Sequence, residues 1–273
     1  MTNKMRKLAR KQLVVQWLPT GSSGSFAVRR FEITKEGADD YNRHMAENEN
    51  AWARTRHVSP GMHTGLYEFD TSSWLSLVTS TDPWMSDTPA EVLDHCNVMI
   101  QMVKRGGRVL INGLGLGMIA AYALRLPNVT HVDVIELQGD IINLVGPHLP
   151  NQEKLTLHHV SAYDIEWNDE RWNVAWHDIW PTINPDNLPD MDRLEAKYAD
   201  RVDYQETWVR EQCEEAVGKD AAWLDQVDAP IKVRYVPGTP LEKRELELVR
   251  KVAEELNISE REVIQLAMRE VGK

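Results

Sequence analysis

The sequence has few cysteines, no long apolar run and no excess of basic residues. Only two cysteines, Cys96 and Cys213, occur in 273 residues, and neither belongs to a Cys-x-x-Cys motif or a Cys/His cluster. The sequence therefore predicts neither a disulfide framework nor a metal site, and a reducing, cytoplasmic environment is the expectation. Since no apolar stretch approaches the roughly 18 residues of a transmembrane helix, no membrane segment is predicted.

The charge balance is acidic, with 31 Lys and Arg against 42 Asp and Glu and a net charge of -11. A protein that coats nucleic acid over its whole surface needs a basic face to neutralise phosphates, so this class is excluded, although a local basic patch is not. The hydrophobic fraction of 42% is ordinary for a globular chain. The length fits one main domain with a small appendage.

Three regions differ in pattern along the chain. Residues 1–82 form a basic arm and a small β-rich region, in which a flexible connection at Gly21–Ser25 precedes a helix at Lys35–Glu49 and strands at Phe26–Thr34, Gly65–Phe69 and Trp74–Ser80. Residues 83–228 carry alternating strand and helix patterns and form the predicted main domain. Residues 229–273 form a separate strand, helix, helix segment.

The main domain begins with a helix that Thr88 caps, with Pro89 at its first position and Glu91 placed to complete a capping box. Its helical spacing continues to Gly106. Alternation of strands with helices predicts an α/β fold with a Rossmann-like, doubly wound, mostly parallel sheet. The sheet is expected to be shortened, since the chain reads as helical at Met191–Tyr198 and Gln205–Val217. The four predicted strands are Val109–Ile111, His131–Ile135, Leu155–Val160 and Asn173–His177.

A glycine-rich turn joins the first of these strands to the next helix. Gly113, Gly115 and Gly117 give the pattern GxGxG, and Met118 stands where a dinucleotide-binding GxGxxG motif needs its last glycine. Glycine allows positive φ angles and the close approach of a cofactor. The GxGxG spacing is typical of sites for S-adenosylmethionine (SAM), and a tight turn without a ligand is the alternative.

Further acids lie at the ends of predicted elements. Glu136 ends the second strand, where a carboxylate reaches both hydroxyls of a ribose. Ala162 and Tyr163, after the third strand, are candidates to contact an adenine ring, with Asp164 facing its amino group. Asp87, just before the capped helix, either contacts the sulfonium or amino group of SAM or serves the helix cap.

Three residues at the end of the fourth strand are catalytic candidates. Methyl transfer depends on positioning and on removal of a proton from the nucleophile, because a sulfonium is already a strong electrophile. Asp178 can accept a hydrogen bond from an amine, His177 can act as a base, and Trp180 can stack on a flat acceptor or attract a cation. Neighbouring strand residues face opposite ways, so one of the first two is expected in the pocket, and Asp178 is favoured.

From Arg108 to Pro181 the chain resembles class I SAM-dependent methyltransferases, and most of all their spermidine synthase-like branch. The matching stretches are GLGLG, VDVIEL and NVAWHDIW. The resemblance implies that the three glycines and Glu136 contact SAM and that Asp178 holds the place of a catalytic acid. Spermidine synthases have a second acid three residues later, where this chain has Pro181.

The segment 229–273 resembles a ribbon-helix-helix module, with a strand at Ile231–Tyr235 followed by two capped amphipathic helices. Such a module pairs its strand with that of a second chain, so a homodimer is predicted. In that family the strand side chains enter the major groove of DNA, and Lys232 and Arg234 are the candidate readers.

The sequence thus favours a SAM-dependent methyltransferase with an unidentified acceptor, in which Asp178 positions or deprotonates the nucleophile. Two alternatives stay open. One is aminopropyl transfer from decarboxylated SAM to a polyamine. The other is a non-catalytic SAM-binding or DNA-binding regulator.

Overall fold

The computed structural model describes residues 13–48, 50, 52–69, 83–219, 233–235, 250 and 254. The described residues form two five-stranded sheets, one antiparallel and one parallel. Three predicted features lie outside the described residues: the strand at Trp74–Ser80, the start of the basic arm, and nearly all of the two C-terminal helices. No helix in the described part of the chain is long and apolar enough to cross a membrane.

The antiparallel sheet is built around β2 (Phe26–Ile33). One edge of β2 pairs along its whole length with β3 (Gly61–Glu68), which pairs in turn with β4 (Met85–Ser86). The other edge pairs with β1 (Gly21–Ser23) and, further along, with β10 (Val233–Tyr235). The strand predicted near residue 233 is therefore present, and its partner on this edge belongs to the same chain.

The prediction of a flexible connection at residues 21–25 is wrong. Residues 21–23 are a strand, and Gly24, at φ 52°, makes the tight turn into β2. Glycine is favoured at such a turn because positive φ carries no steric cost without a Cβ. The Ser23 hydroxyl also donates to Asp140 at 2.7 Å, which ties this hairpin to the parallel sheet's side of the molecule.

Helix α1 (Lys35–Ala46) covers one face of the antiparallel sheet. Thr34 caps it, its Oγ1 accepting from the Gly37 amide at 3.0 Å. Tyr41 and Met45 face inward and pack in one buried cluster with Phe31 of β2. The predicted helix at 35–49 is thus confirmed with an earlier end.

The parallel sheet has the order β7-β6-β5-β8-β9, so the chain starts at the centre, moves to one edge and then crosses to the other. This order confirms the predicted Rossmann-like α/β fold. The direction reverses between β5 and β8, and ligands of such sheets bind beyond the carboxyl ends of the strands at that point. The five strands are β5 (Gly107–Asn112), β6 (Val129–Glu136), β7 (Leu155–His159), β8 (Val174–His177) and β9 (Gln205–Thr207).

Helices connect and cover these strands on both sides. Apolar side chains of β5 face both layers, with Val109 and Ile111 in one buried cluster and Leu110 in the other. A central parallel strand is therefore buried on both faces, as its apolar sequence predicts. The helices that follow α1 are α2 (Pro89–Asp94), α3 (Cys96–Arg105), α4 (Met118–Arg125), α5 (Gly139–Val145), α6 (Leu188–Tyr198) and α7 (Arg210–Glu215).

Two predictions within the main domain are wrong. The helix expected from Thr88 to Gly106 is broken at His95, which separates α2 from α3. The helix expected at Gln205–Val217 begins only at Arg210, because Gln205–Thr207 pairs with β8 as the fifth parallel strand. Three residues are too few to show a strand pattern, and this pairing depends on the neighbouring β8.

Candidate functional site

A cavity of about 720 Å³ opens at the carboxyl ends of β5, β6 and β8. This volume is within the range of pockets that hold small molecules. The antiparallel sheet closes one side of it, because β4 leads directly into α2 at the cavity wall. The polar residues that line it are Arg56, Glu91, His95, Glu136, Gln138, Ser161, Tyr163, Asp178 and Asp190.

The glycine turn forms the floor of the cavity through Gly113 and Gly115. A Cβ on Gly113, at φ 96°, would lie 1.9 Å from the Asp178 carbonyl oxygen, and one on Gly115 would lie 2.2 Å from Met85 Sδ. The turn therefore needs glycine at both positions to pack against the end of β8 and against β4. Gly117 is the N-cap of α4 and is not among the residues that line the cavity.

Glu136 stands at the end of β6 beside this turn. One carboxylate oxygen accepts from the Leu114 amide at 2.8 Å and the other from the Gln138 amide at 2.8 Å. These bonds fix the carboxylate at the cavity wall, and 7% of the surface of Glu136 is exposed. Each oxygen retains a further lone pair for a hydroxyl donor.

The loop after β7 places two of its three candidate residues in the cavity. Ala162 and Tyr163 line the wall together with Ser161, but Asp164 is exposed and is not part of that wall. The Asp164 amide donates to the Ser161 carbonyl at 3.0 Å, forming a tight turn. The chain thus turns before Asp164. The structure does not support the predicted contact of Asp164 with an adenine amino group in the cavity.

Asp87 is buried away from the cavity and takes neither of its predicted roles. Its carboxylate accepts from the Val15 amide at 3.1 Å and from the Thr64 amide at 2.8 Å, with 2% of the residue exposed. It ties the N-terminal segment to β3. The helix that follows is capped at the next residue, Thr88.

At the end of β8, Asp178 and Trp180 line the cavity and His177 faces the interior. His177 Nε2 donates to Gln205 Oε1 at 3.2 Å, and Nδ1 accepts from Asn112 Nδ2 at 2.7 Å, the tautomer being assigned from these partners. Burial lowers the pKa of His177 to about 4, against an opposing hydrogen bond to Gln205. A neutral, enclosed imidazole is not placed to act as a base in the cavity.

His95 is a cavity residue that sequence reasoning missed. It occupies the break between α2 and α3, where Nδ1 donates to the Glu91 carbonyl at 2.9 Å, and Nε2 lies 3.5 Å from Asp178 Oδ2. Burial opposes the charged imidazolium, but the Asp178 carboxylate, the Glu91 carbonyl and Asp94 together outweigh it and raise the pKa of His95. The pair is therefore suited to take up a proton, which His95 receives at Nε2. Only tertiary packing brings the two residues together.

Glu91 and Arg56 are two further cavity residues that the sequence did not single out for chemistry. Glu91 does not complete the expected capping box, since its oxygens accept from the Ser86 amide at 2.8 Å and the Ser86 hydroxyl at 2.5 Å. Desolvation raises the pKa of Glu91 to about 7, against these hydrogen bonds. Arg56 donates to Asp94 at 2.7 Å and lies over the Trp52 ring.

No family model matches this chain, and no curated protein does either. Similar solved structures include the N-methyltransferase NodS from Bradyrhizobium japonicum WM9, at 9% identity and a TM-score of 0.37 over 50% of this chain and 80% of that one. An rRNA methylase from Streptococcus thermophilus is 13% identical, with a TM-score of 0.35 over 48% of this chain and 80% of that one. The CcbJ methyltransferase from Streptomyces caelestis is 13% identical, with a TM-score of 0.32 over 38% and 46%.

Proposed function

We propose that the protein transfers a methyl group from SAM to a nucleophile bound in the cavity. The observation that carries this proposal is that one cavity joins the Gly113–Gly115 turn and Glu136 with the His95 and Asp178 pair. The first group suits a nucleoside cofactor and the second suits removal of a proton. Both lie where parallel α/β sheets bind their ligands.

The residues present fit SAM in size and in chemistry. The turn approaches the cavity with backbone alone, because side chains at Gly113 and Gly115 would fill space that Asp178 and Met85 occupy. Glu136 offers carboxylate oxygens for the ribose hydroxyls, and Ala162 and Tyr163 offer a partly apolar wall for the adenine. This assignment does not include three candidate cofactor contacts that the sequence pattern or the resemblance suggests: Gly117, Asp164 and Asp87.

When bound, SAM supplies an electrophilic methyl group on a sulfonium. The task of the chain is then to orient the nucleophile and to accept its proton. Asp178 faces the cavity and accepts a hydrogen bond from the nucleophile, and His95 Nε2 takes up the proton within reach of that carboxylate. The Nδ1 bond to the Glu91 carbonyl holds the imidazole in the orientation that this transfer needs.

Calorimetric titration with SAM and with decarboxylated SAM tests the cofactor. We expect SAM to bind to the wild type, and Glu136→Ala to weaken it by about tenfold or more, since two hydroxyl hydrogen bonds to a charged group are lost. The exposed Glu153→Ala is the matched control and is expected to bind as the wild type does. Preference for decarboxylated SAM would instead support aminopropyl transfer, and binding of neither would refute both.

The same experiment extends to Asp178. We expect Asp178→Asn to leave SAM binding within about twofold and to lower kcat on any accepted substrate by about 100-fold or more, the usual contribution of a general base. Asp169→Asn, at an exposed position, serves as control. Equal turnover by Asp178→Asn and wild type would refute the proposed role of Asp178 in orienting the nucleophile and in the transfer of its proton to His95.

A further inference from the structure

We propose that the acceptor is a cationic amine that binds beside Glu91 among the indole rings of the cavity. The proposal rests on the function given above and names its substrate class. It follows from the balance of charges among the residues that line the cavity.

Arg56, the one arginine among the described residues of the cavity wall, is already compensated. Arg56 Nη1 lies 2.7 Å from Asp94 Oδ2, and the two side chains are only 12% and 4% exposed. Removing a buried charge from its partner is costly, so this ion pair stays intact when a ligand enters. Arg56 is therefore a poor site for an anionic acceptor.

Glu91 is compensated more weakly: Arg56 attracts it electrostatically without a hydrogen bond between them, and burial raises the pKa of Glu91 to about 7, so a neighbouring cation favours its ionised form. Its two oxygens accept from the amide and hydroxyl of Ser86, which are neutral donors. Asp178 adds a further negative charge to the same cavity, and among the described residues the group that can balance it is His95, which carries a charge when protonated and lies 3.5 Å away. Glu136 and Asp190 are further acids of the same wall, so with Arg56 and Asp94 cancelling the carboxylates outnumber the one imidazolium, and a ligand cation restores the balance.

Aromatic rings strengthen this preference. Four indoles line the cavity, from Trp84, Trp176, Trp180 and Trp208. The faces of such rings attract cations, and the attraction is strongest where the cation is desolvated. Carboxylates combined with indole walls are the chemistry that recognises an ammonium group, whereas a neutral alcohol gains only the apolar contact.

The proton balance of the reaction agrees with this pair of carboxylates. The amine arrives as R-NH3+, and one proton leaves the nitrogen for Asp178 or for Nε2 of His95. The freed lone pair forms the new N–C bond as the methyl–sulfur bond breaks, and the sulfur keeps that bond's electron pair. The product leaves as R-NH2+-CH3, so the carboxylate of Glu91 has a cationic partner before and after the transfer.

Three probes of similar size and different charge test the proposal: benzylamine, benzyl alcohol and benzoate. Each is titrated by calorimetry into the wild-type protein alone and into protein saturated with S-adenosylhomocysteine. We expect benzylamine to bind about tenfold more tightly than benzyl alcohol, and benzoate to bind most weakly. Glu91→Gln is expected to remove most of the preference for benzylamine and to leave benzyl alcohol unchanged, with Glu153→Gln as the exposed control.

The outcomes separate this inference from the proposed function. If S-adenosylhomocysteine binds and benzylamine is no tighter than benzyl alcohol, the amine class is refuted and methyl transfer stands. If Glu91→Gln weakens S-adenosylhomocysteine or SAM as much as benzylamine, Glu91 serves the cofactor and the inference is overturned. If no cofactor binds, the proposed function fails, while the probe series on the protein alone still decides the charge preference without any variant.

Discussion

At the scale of single residues, two histidines near the same strand ends have opposite properties. His95 lies beside the carboxylate of Asp178, and its pKa is raised. His177 is enclosed by neutral amides, and its pKa is lowered to about 4. The nearby carboxylate makes one imidazole a proton acceptor, whereas burial without a charged partner keeps the other neutral.

The environment of His177 predicts an acid-sensitive fold. Its pKa falls from 6.5 in the unfolded chain to about 4 in the native protein, so the unfolded state binds more protons in between. The contribution of His177 to the free energy of unfolding is therefore fully present above pH 6.5 and is lost as the pH falls to about 4. The decline amounts to about 3 kcal/mol at 1.36 kcal/mol per pKa unit.

Urea unfolding at several pH values between 7.5 and 4 measures this effect. We expect the unfolding free energy of His177→Gln to fall less steeply than that of the wild type over this range. His148→Gln, at an exposed histidine, is the control and should follow the wild-type slope. Parallel slopes for all three proteins would contradict a neutral, buried His177.

At the scale of elements, the strand ends and the glycine turn work as one unit. Gly113 follows β5 directly, its amide donates to the Ile135 carbonyl at 2.8 Å, and the Asp178 amide donates to the Asn112 carbonyl at 2.8 Å. The turn is thereby fixed between β6 and the segment after β8. The cofactor side and the proton-accepting side of the cavity thus share a backbone contact.

A methyl group at Gly113 should disrupt both sides of the cavity. Gly113→Ala combines a strained φ of 96° with a Cβ at 1.9 Å from the Asp178 carbonyl oxygen. We expect a loss of more than about 2 kcal/mol in unfolding free energy and loss of SAM binding. Gly218→Ala isolates the strain, because Gly218 has φ 78° with nothing within 4 Å of the added Cβ.

Thermal unfolding with and without SAM compares the two variants. Gly218→Ala is expected to cost about 1 kcal/mol and to retain the stabilisation by SAM. A Gly113→Ala protein that is as stable as Gly218→Ala would show that the contact with Asp178 is not required. The cavity would then tolerate a wider turn than the structure indicates.

At the scale of the whole molecule, the two sheets are joined by the hydrogen bond from Ser23 to Asp140 and by the direct connection from β4 to α2. Asp87 holds the N-terminal segment to β3, and β4 runs into α2 beside the cavity. β10 pairs with three of the eight residues along one edge of β2 and so brings the C-terminal region back to the antiparallel sheet. The predicted ribbon-helix-helix pairing with a second chain would use the edge of β10 that does not pair with β2.

The predicted homodimer is tested by sedimentation equilibrium of the full chain. We expect twice the chain mass of 31.3 kDa, and the single-chain mass when residues 229–273 are deleted. The deletion also removes β10, so circular dichroism must first show an intact fold. A monomeric full chain would refute dimerisation through this segment.

DNA contact through Lys232 and Arg234 is tested separately. Gel shifts on random duplex DNA at several salt concentrations should show salt-sensitive binding that Lys232→Ala and Arg234→Ala weaken. The absence of such binding would leave the segment without a role in DNA recognition. It would not affect the proposed methyl transfer.

The sequence by itself determined the parallel sheet, the glycine turn and the strand ends. Apolar runs and glycine spacing are local patterns, and β5, β6 and β8 lie where those patterns predict them. The positions of Glu136 and Asp178 follow in turn, since parallel strands present their carboxyl ends at one edge. The short β9 shows no such pattern, and its sequence favours a helix instead.

The tertiary structure decided which side chains meet in the cavity. His95 meets Asp178 across 83 positions of chain only because α2 ends at residue 94 and α3, which begins directly after His95, packs beside β8. Asp87 and Asp164, both plausible by position, are turned away by bonds to distant amides or by a tight turn. Periodicity reports how each element folds, whereas the approach of distant elements depends on packing of the whole chain, which no local pattern encodes.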